Sequence, residues 1–156
     1  MYHHAVIHEK LKVAGQYLGW SPEIHSIDEV DRFNAHSKTL LEETDNRDII
    51  LRRDLTKKEV WWVRNERAIC RADAMYFKTR YGFLCDEEGT VMRYVPRVSQ
   101  IVFNQVLADF DEKQLAIEIQ ALKGRQLGVS TEVQLDFGHR TIMLPGVNAV
   151  SASVNA

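Results

Sequence analysis

One segment in the last third of the chain, residues 115–131, constrains the fold more than any other. LAIEIQAL (115–122) alternates in hydrophobicity and is rich in isoleucine, which predicts a strand. Two glycines, Gly124 and Gly128, follow this strand at once. The residues from 130 to about 143 then have the pattern of a helix. A strand that enters a helix through a glycine loop is typical of α/β nucleotide-binding units.

The residues on either side of this segment extend the same pattern. Ser99 to Phe110 has apolar residues at helical spacing and predicts an amphipathic helix. Pro145 and Gly146 end the later helix, and NAVSAS (148–153) predicts a second strand. The predicted fold class is therefore α/β, the start of a P-loop NTPase domain of the ASCE type that follows an N-terminal helical region.

The glycine loop, LKGRQLGVST (122–131), has the outline of a phosphate site. Unpaired backbone N–H groups and the helix dipole both favour an anion where such a loop meets a helix. The N–H groups concerned belong to Gln126, Leu127, Gly128, Val129 and Ser130. Ser130 stands where a phosphate loop places the hydroxyl that ligates Mg²⁺, and Thr131 follows it. A plain glycine turn without a ligand is the alternative reading of the same residues.

The loop departs from the usual pattern G-x-x-x-x-G-K-[ST] in one important position. Val129 stands in the place of the lysine that contacts the β- and γ-phosphates. Lys123 at the end of the strand and Arg125 inside the loop are both long enough to reach a phosphate at the helix start. The sequence thus predicts a displaced cation at this loop.

KGRQLGVST (123–131) resembles the variant Walker A motif of the large terminase subunits of tailed bacteriophages, in which the phosphate-contacting lysine is shifted to the front of the loop. The resemblance implies that Lys123 and Arg125 are the catalytic cations and that Ser130 binds Mg²⁺. It also implies an ATP-binding set that consists of Gln100, Gly124, Gln126, Leu127, Gly128, Val129, Ser130 and Thr131. ATP and Mg²⁺ are the cofactors that such a site would take.

The resemblance extends upstream through MYFKTRYGFLCDEEGTVMRYVPRVSQIVF (75–103) and covers roughly residues 60–156. It implies that Gln100 reads the edge of adenine, since an amide donates and accepts at once. Tyr94 or Arg97 would flank the base. The alternative for Gln100 is a capping residue at the start of its helix.

The chain departs from the family in its acidic residues. A complete motor needs a second motif whose aspartate binds Mg²⁺ and whose glutamate activates water, but NAVSASVNA (148–156) carries no carboxylate. The nuclease domain of the family is also absent. We therefore expect ATPase activity only as part of a complete terminase, of which this chain looks like an N-terminal piece. The resemblance implies double-stranded DNA, the small terminase subunit and the portal protein as partners, with oligomerisation on the portal in the host cytoplasm.

The residues ahead of the resemblance suggest two parts, a helical segment of unknown role over 1–55 and the ATPase part over 56–156. Up to about residue 54 we predict helices joined by polar loops, with Ser26 as a helix start and a charged turn at 43–48. Thr56 is predicted to cap a second helix, and a third begins at about residue 71. A turn is expected at CDEEGT (85–90), followed by an extended piece over 91–95.

Composition sets further limits on function. The 156 residues suit one ordinary domain, and with 45% apolar and 27% charged residues the chain has the composition of a soluble globular protein. The net charge of −2 argues against a chain-wide field for nucleic acid but leaves room for a local patch. Two cysteines, Cys70 and Cys85, fit a reducing compartment and are interpreted as structural. No apolar run approaches the roughly 20 residues of a membrane span.

Several other features have a structural and a functional reading. His4 and His8 have a spacing that metals use, but we interpret them as surface residues because no third ligand is near. Glu59 and Glu66 are predicted to face solvent on a charged helix. RRDLTKK (52–58) is interpreted as a solvated face, with contact to DNA or a partner as the alternative.

The adjacent Trp61 and Trp62 would point in different directions on a helix, one into the core and one toward an interface.

Two other functions remain open at this stage. One is a non-catalytic nucleotide- or DNA-binding accessory protein with a partial P-loop fold, which should tolerate Arg125→Ala and Ser130→Ala without a change in ligand binding. The other is a helical interaction module in which the glycine loop is a plain turn.

Overall fold

The computed structural model describes residues 10–12, 15, 16, 18–86, 88–116 and 128–148. The chain divides into two compact units, Met1–Asp73 and Ala74–Ala156. The division predicted after residue 55 falls inside the first unit. In chain order the elements are α1 (Ile27–Thr39), β1 (Leu41–Glu43), β2 (Ile49–Leu51), α2 (Lys57–Ala72), α3 (Ala74–Tyr81), β3 (Phe83–Cys85), β4 (Val91–Arg93), α4 (Val98–Glu112) and α5 (Val129–Met143).

Helices α1 and α2 both begin at the residues that the sequence predicts. Ser26 and Thr56 each cap a helix by accepting a hydrogen bond from the backbone N–H three residues on. The residue at that position, Glu29 in α1 and Glu59 in α2, returns a side-chain contact to the cap backbone. These reciprocal capping boxes satisfy donors that the first turn of a helix otherwise leaves unpaired.

A short hairpin between the two helices corrects the expectation of helices and loops alone. Strands β1 and β2 pair antiparallel, with Leu41 opposite Leu51 and Glu43 opposite Ile49. The turn between them lies within the predicted charged turn and is closed by a hydrogen bond from Thr44 N to Asp48 O (2.9 Å). All six strand residues are exposed, so the hairpin carries no alternating pattern from which its strands could have been predicted.

The first unit packs around α1 and α2. Val30, Ile69 and Cys70 are buried there. The ring of Trp62 lies between His25 (centroids 3.8 Å apart) and Phe33 (4.7 Å), and both contacts are stacked. Trp62 is thus packed, as predicted for one of the two tryptophans.

The second unit begins with a helix that starts later than predicted. Asp73 has an extended backbone (φ −140°, ψ 107°), which ends α2 and separates it from α3. Strands β3 and β4 then form an antiparallel hairpin around the predicted turn. The extended piece after the turn is confirmed, whereas β3 is not predicted by the sequence. Met75, Tyr76, Tyr94 and Leu107 are buried in this unit.

Helices α4 and α5 confirm the two helices predicted in the last third of the chain, each within one or two residues of the predicted bounds. The predicted strand at 115–122 lies outside the described residues beyond Ala116, and the predicted strand at 148–153 beyond Asn148. The described fold is mixed α and β, with two small antiparallel sheets. In the described part of the chain, no helix is long and apolar enough to cross a membrane.

Candidate functional site

The end of the glycine loop lies at Gly128, which is the N-cap residue of α5. Its backbone is left-handed (φ 71°, ψ 10°), a conformation that glycine adopts without steric cost. A Cβ atom at this position would lie 2.6 Å from Nε2 of Gln100. Two independent constraints, the backbone angle and the neighbouring side chain, therefore require glycine at this position.

Gln100 joins the start of α4 to the end of the glycine loop. Its side-chain Oε1 accepts a hydrogen bond from Arg97 N (2.8 Å), and its Nε2 donates to the Gly128 carbonyl (2.9 Å). The residue is 4% exposed. The hydrogen bond with Arg97 N confirms the capping alternative for Gln100. The hydrogen bond with the Gly128 carbonyl brings together two motifs that are 28 residues apart in the chain.

Of the two residues expected to flank a base, the structure is consistent with one. Tyr94 is 1% exposed, and its hydroxyl donates to Oε2 of Glu132. Its ring is packed in the core of the second unit and presents no face to a ligand, so the expectation for Tyr94 is wrong. Arg97 is exposed at the start of α4.

Ser130 and Thr131 lie in the first turn of α5, where Ser130 is exposed and Thr131 is half-buried. The first turn of a helix leaves backbone N–H groups without intrahelical partners. Val129, Ser130 and Thr131 are the first three residues of α5. The remaining predicted loop residues lie outside the described part of the chain: Lys123, Gly124, Arg125, Gln126 and Leu127.

A buried ionic network begins at Glu132 in the first turn of α5 and continues to Asp136. The ammonium group of Lys78 contacts Oε1 of Glu132 (2.6 Å), Oδ1 of Asp136 (3.1 Å) and Oδ1 of Asn104 (2.8 Å). Lys78 and Glu132 are fully buried. Both oxygens of Glu132 are engaged, one by Lys78 and one by Tyr94. The positive charge of Lys78 offsets the negative charge of Glu132 at this end of α5.

The network continues to the surface through a second cation. Arg140 donates to Oδ2 of Asp136 (2.6 Å) and makes two hydrogen bonds to Asp111 (2.9 and 2.7 Å). Burial by itself raises the pKa of Asp136, but the charges of Lys78 and Arg140 outweigh it and hold that pKa below its ordinary value. Burial and the contact with Glu132 raise the pKa of Tyr94, which keeps its hydroxyl protonated as a donor.

The sequence did not predict this network, although one signal for it was present. Lys78 directly follows the apolar residues AMYF (74–77) in α3, and Glu132 and Asp136 lie four residues apart on α5. Residues at that spacing share one face of a helix. The partners are 54 and 58 residues apart in the chain, so their pairing does not follow from any local pattern.

Two acidic residues of α2 are buried, although the sequence predicts that they are exposed. Glu59 and Glu66 are buried and do not face solvent. Oε1 of Glu59 lies 2.6 Å from His36 and 2.9 Å from Arg53, and Oε1 of Glu66 lies 2.6 Å from Nδ1 of His25. The hydrogen bonds from Arg53 and His36 lower the pKa of Glu59 far below its ordinary value. The prediction failed because these partners come from outside the helix.

The structure contains no metal cluster of histidine, cysteine, aspartate or glutamate within its described ranges. His4 and His8 lie outside those ranges. Cys70 is buried, and burial raises the pKa of its thiol, whereas Cys85 is exposed.

No protein-family model, no curated protein and no solved structure matches this chain.

Proposed function

We propose that the second unit binds Mg-ATP at the Gly128 end of α5, and that the chain is the ATP-binding portion of a bacteriophage terminase large subunit. Such a subunit packages double-stranded DNA into the capsid by ATP hydrolysis. The observation that carries the proposal is the hydrogen bond from Gln100 to the Gly128 carbonyl. It joins the two motifs that an ATP site of this family requires, one for adenine and one for phosphate.

The side chain of Gln100 has the capacity for both tasks. A primary amide carries two N–H donors and two acceptor lone pairs. The contacts with Arg97 and Gly128 use one of each. Within the described residues, one donor and one acceptor of this amide have no further partner, and the N6 and N7 atoms of adenine require such a pair. Gln100 would therefore hold the loop end and the base at the same time.

The phosphates would lie at the first turn of α5. Left-handed Gly128 allows close approach of an anion to the N–H groups of Val129 and Ser130. Mg²⁺ commonly takes only one or two protein ligands beside the phosphates, and the hydroxyl of Ser130, an exposed residue, is the proposed ligand. Lys123 and Arg125 are the proposed cations on the phosphates.

The proposal includes the partners that the resemblance implies. These are double-stranded DNA, the small terminase subunit and the portal protein, with oligomerisation on the portal. Turnover would belong to the complete terminase, in which a second acidic motif activates the attacking water.

Calorimetric titration of the full chain with Mg-ATP tests the site. We expect micromolar binding that weakens at least tenfold, about 1.4 kcal/mol, in Lys123→Ala or Arg125→Ala. Gln100→Ala should reduce the preference for ATP over GTP. Gln105→Ala is the matched control, because Gln105 is an exposed glutamine on the same helix.

Three outcomes would contradict the proposal. One is the absence of binding by a chain with native far-UV dichroism. Another is binding that Arg125→Ala and Ser130→Ala leave unchanged, which would favour the accessory protein with a decayed loop. The third is an equal effect of Gln100→Ala and Gln105→Ala on nucleotide preference.

A further inference from the structure

The charged residues of α2 are segregated by sign between the surface and the interior. Its five cations are all exposed: Lys57, Lys58, Arg64, Arg67 and Arg71. Its two carboxylates, Glu59 and Glu66, are buried. Within the described ranges none of the five cations forms an ion pair or a hydrogen bond. The outer surface of this helix is therefore positive, although the whole chain carries a net charge of −2.

The buried carboxylates cannot neutralise this surface because they have internal partners. Arg53 makes two hydrogen bonds to Glu59 (3.0 and 2.9 Å), so this cation of the RRDLTKK run is already paired. Glu66 is engaged by His25. The positive surface thus consists of the five cations of α2, two of which also end the RRDLTKK run, and an anionic partner would meet no carboxylate of this helix.

A tryptophan lies between two of the exposed cations of α2. Lys57, Trp61 and Arg64 are four and then three residues apart, which places them on one face of the helix. Trp61 is 39% exposed. The ring of His25 meets it edge-on, with centroids 5.9 Å apart and planes at 79°. The indole of Trp61 is therefore held in place and still accessible.

A second tryptophan completes a cavity at this position. The cavity has a volume of about 510 Å³ and is lined by Trp20, Leu55, Lys57, Val60, Trp61 and Arg64. Two indole rings and two cations line it, and none of the described residues that line it is acidic. The combination of flat aromatic rings with unpaired cations matches the chemistry of a nucleotide chain, whose bases stack and whose phosphates pair.

We propose that this surface of the first unit binds single-stranded nucleic acid, with bases stacked on Trp61 and Trp20 and phosphates paired with Lys57, Arg64 and Arg71. A single strand fits better than a duplex because only unpaired bases expose a face to an indole ring. An acidic peptide would satisfy the cations but would leave both rings unused. The site goes beyond the proposed ATP site and uses none of its residues.

Fluorescence anisotropy of a labelled oligothymidylate tests the site on the full chain. A length of about 20 nucleotides exceeds the roughly 4–16 that one single-strand-binding domain covers. We expect saturable binding that quenches tryptophan emission. Trp61→Ala should weaken binding about fivefold or more, while Trp61→Phe should retain most of the affinity. Phe83→Ala, which removes an exposed aromatic ring of the second unit, is the matched control.

The salt dependence separates the two kinds of contact. Each phosphate contact with a single strand contributes about −0.7 to the slope of log K against log salt. Arg64→Gln should reduce the magnitude of that slope by about this amount, whereas Trp61→Ala should lower affinity without a change in slope. Lys113→Gln, at an exposed lysine of the second unit paired with Asp109, should change neither.

Three results would overturn the proposal. The first is no binding by a folded chain. The second is equal affinity for a duplex of the same charge together with full affinity in Trp61→Ala, which would indicate a cationic surface without stacking. The third is stronger binding of an acidic peptide than of the oligonucleotide, which would assign the surface to a protein partner. Each result is independent of Mg-ATP binding, so failure here leaves the ATP site testable by itself.

Discussion

The ammonium group of Lys78 lies 2.6 Å from Oε1 of Glu132, and both side chains are fully buried. This pair connects α3 to α5, the helix that begins at Gly128. Because removal of a charge from water is costly, such a pair is stable only while every member has its partners. The first turn of α5, where we propose that phosphate binds, therefore depends on Lys78.

Lys78→Met should lower the free energy of unfolding by about 3–5 kcal/mol, because it leaves Glu132 and Asp136 buried without their shared cation. Urea denaturation followed by far-UV dichroism measures the change. In the triple variant that adds Glu132→Gln and Asp136→Asn, much of the lost stability should return.

Lys113→Met is the control for this comparison. Its lysine is exposed on α4, and we expect a change within about 0.5 kcal/mol. If Lys78→Met were as mild as Lys113→Met, the network would not be a source of stability.

Asp136→Asn should change how stability depends on pH. The pKa of Asp136 lies below its ordinary value of 3.8 in the folded state, so its charge stabilises the fold at pH values above 3.8. That contribution is lost as the pH falls through the folded pKa. The difference in unfolding free energy between the parent chain and Asp136→Asn should therefore be largest near neutral pH and should narrow below about pH 4.

Asp109→Asn serves as the control for the pH series, since Asp109 forms an exposed pair with Lys113 four residues away. Exposed pairs contribute little, and we expect a small difference at every pH. If the difference in unfolding free energy between the parent chain and Asp136→Asn became larger in acid, the charge of Asp136 would destabilise the fold.

The parts of the fold that could be predicted are those with local causes. Ser26 and Thr56 begin helices because each has a glutamate three residues on, a signal contained in four consecutive residues. The bounds of α4 and α5 followed from apolar spacing and from Pro145. The short strands β1, β2 and β3 were not predicted, because three residues are too few to show a period of two.

The ionic pairs could not be predicted for a different reason. In the sequence, Glu59 and Glu66 look like surface residues of a charged helix. Their burial is stable only because His36, Arg53 and His25, which lie in other segments, form hydrogen bonds with the two carboxylates. The contact of Gln100 with Gly128 could not be predicted either, because its two residues lie in different segments. The role of each residue was expected from its own motif, whereas their mutual hydrogen bond depends on how two helices pack.

Gly128→Ala should lower stability, and part of that effect should depend on Gln100. A left-handed backbone costs an alanine about 1–2 kcal/mol, and the new Cβ would also lie 2.6 Å from Gln100 Nε2. Gln100→Ala removes the second conflict. A double-mutant cycle should therefore give less destabilisation than the sum of the single changes, with a coupling of about 0.5 kcal/mol or more. Strict additivity would mean that the two residues do not touch in solution.

Gly138→Ala, in the same helix as Gly128→Ala, should have the opposite effect on stability. Gly138 lies in the interior of α5, has a negative φ, and has no atom within 4 Å of the position that a Cβ would take. Alanine lowers the conformational entropy of the unfolded chain and favours the helix by about 0.5–1 kcal/mol relative to glycine. We therefore expect Gly138→Ala to raise the unfolding free energy by that amount in urea denaturation, while Gly128→Ala lowers it. A loss of stability in both variants would mean that the interior of α5 is more closely packed than the open space at Gly138 indicates.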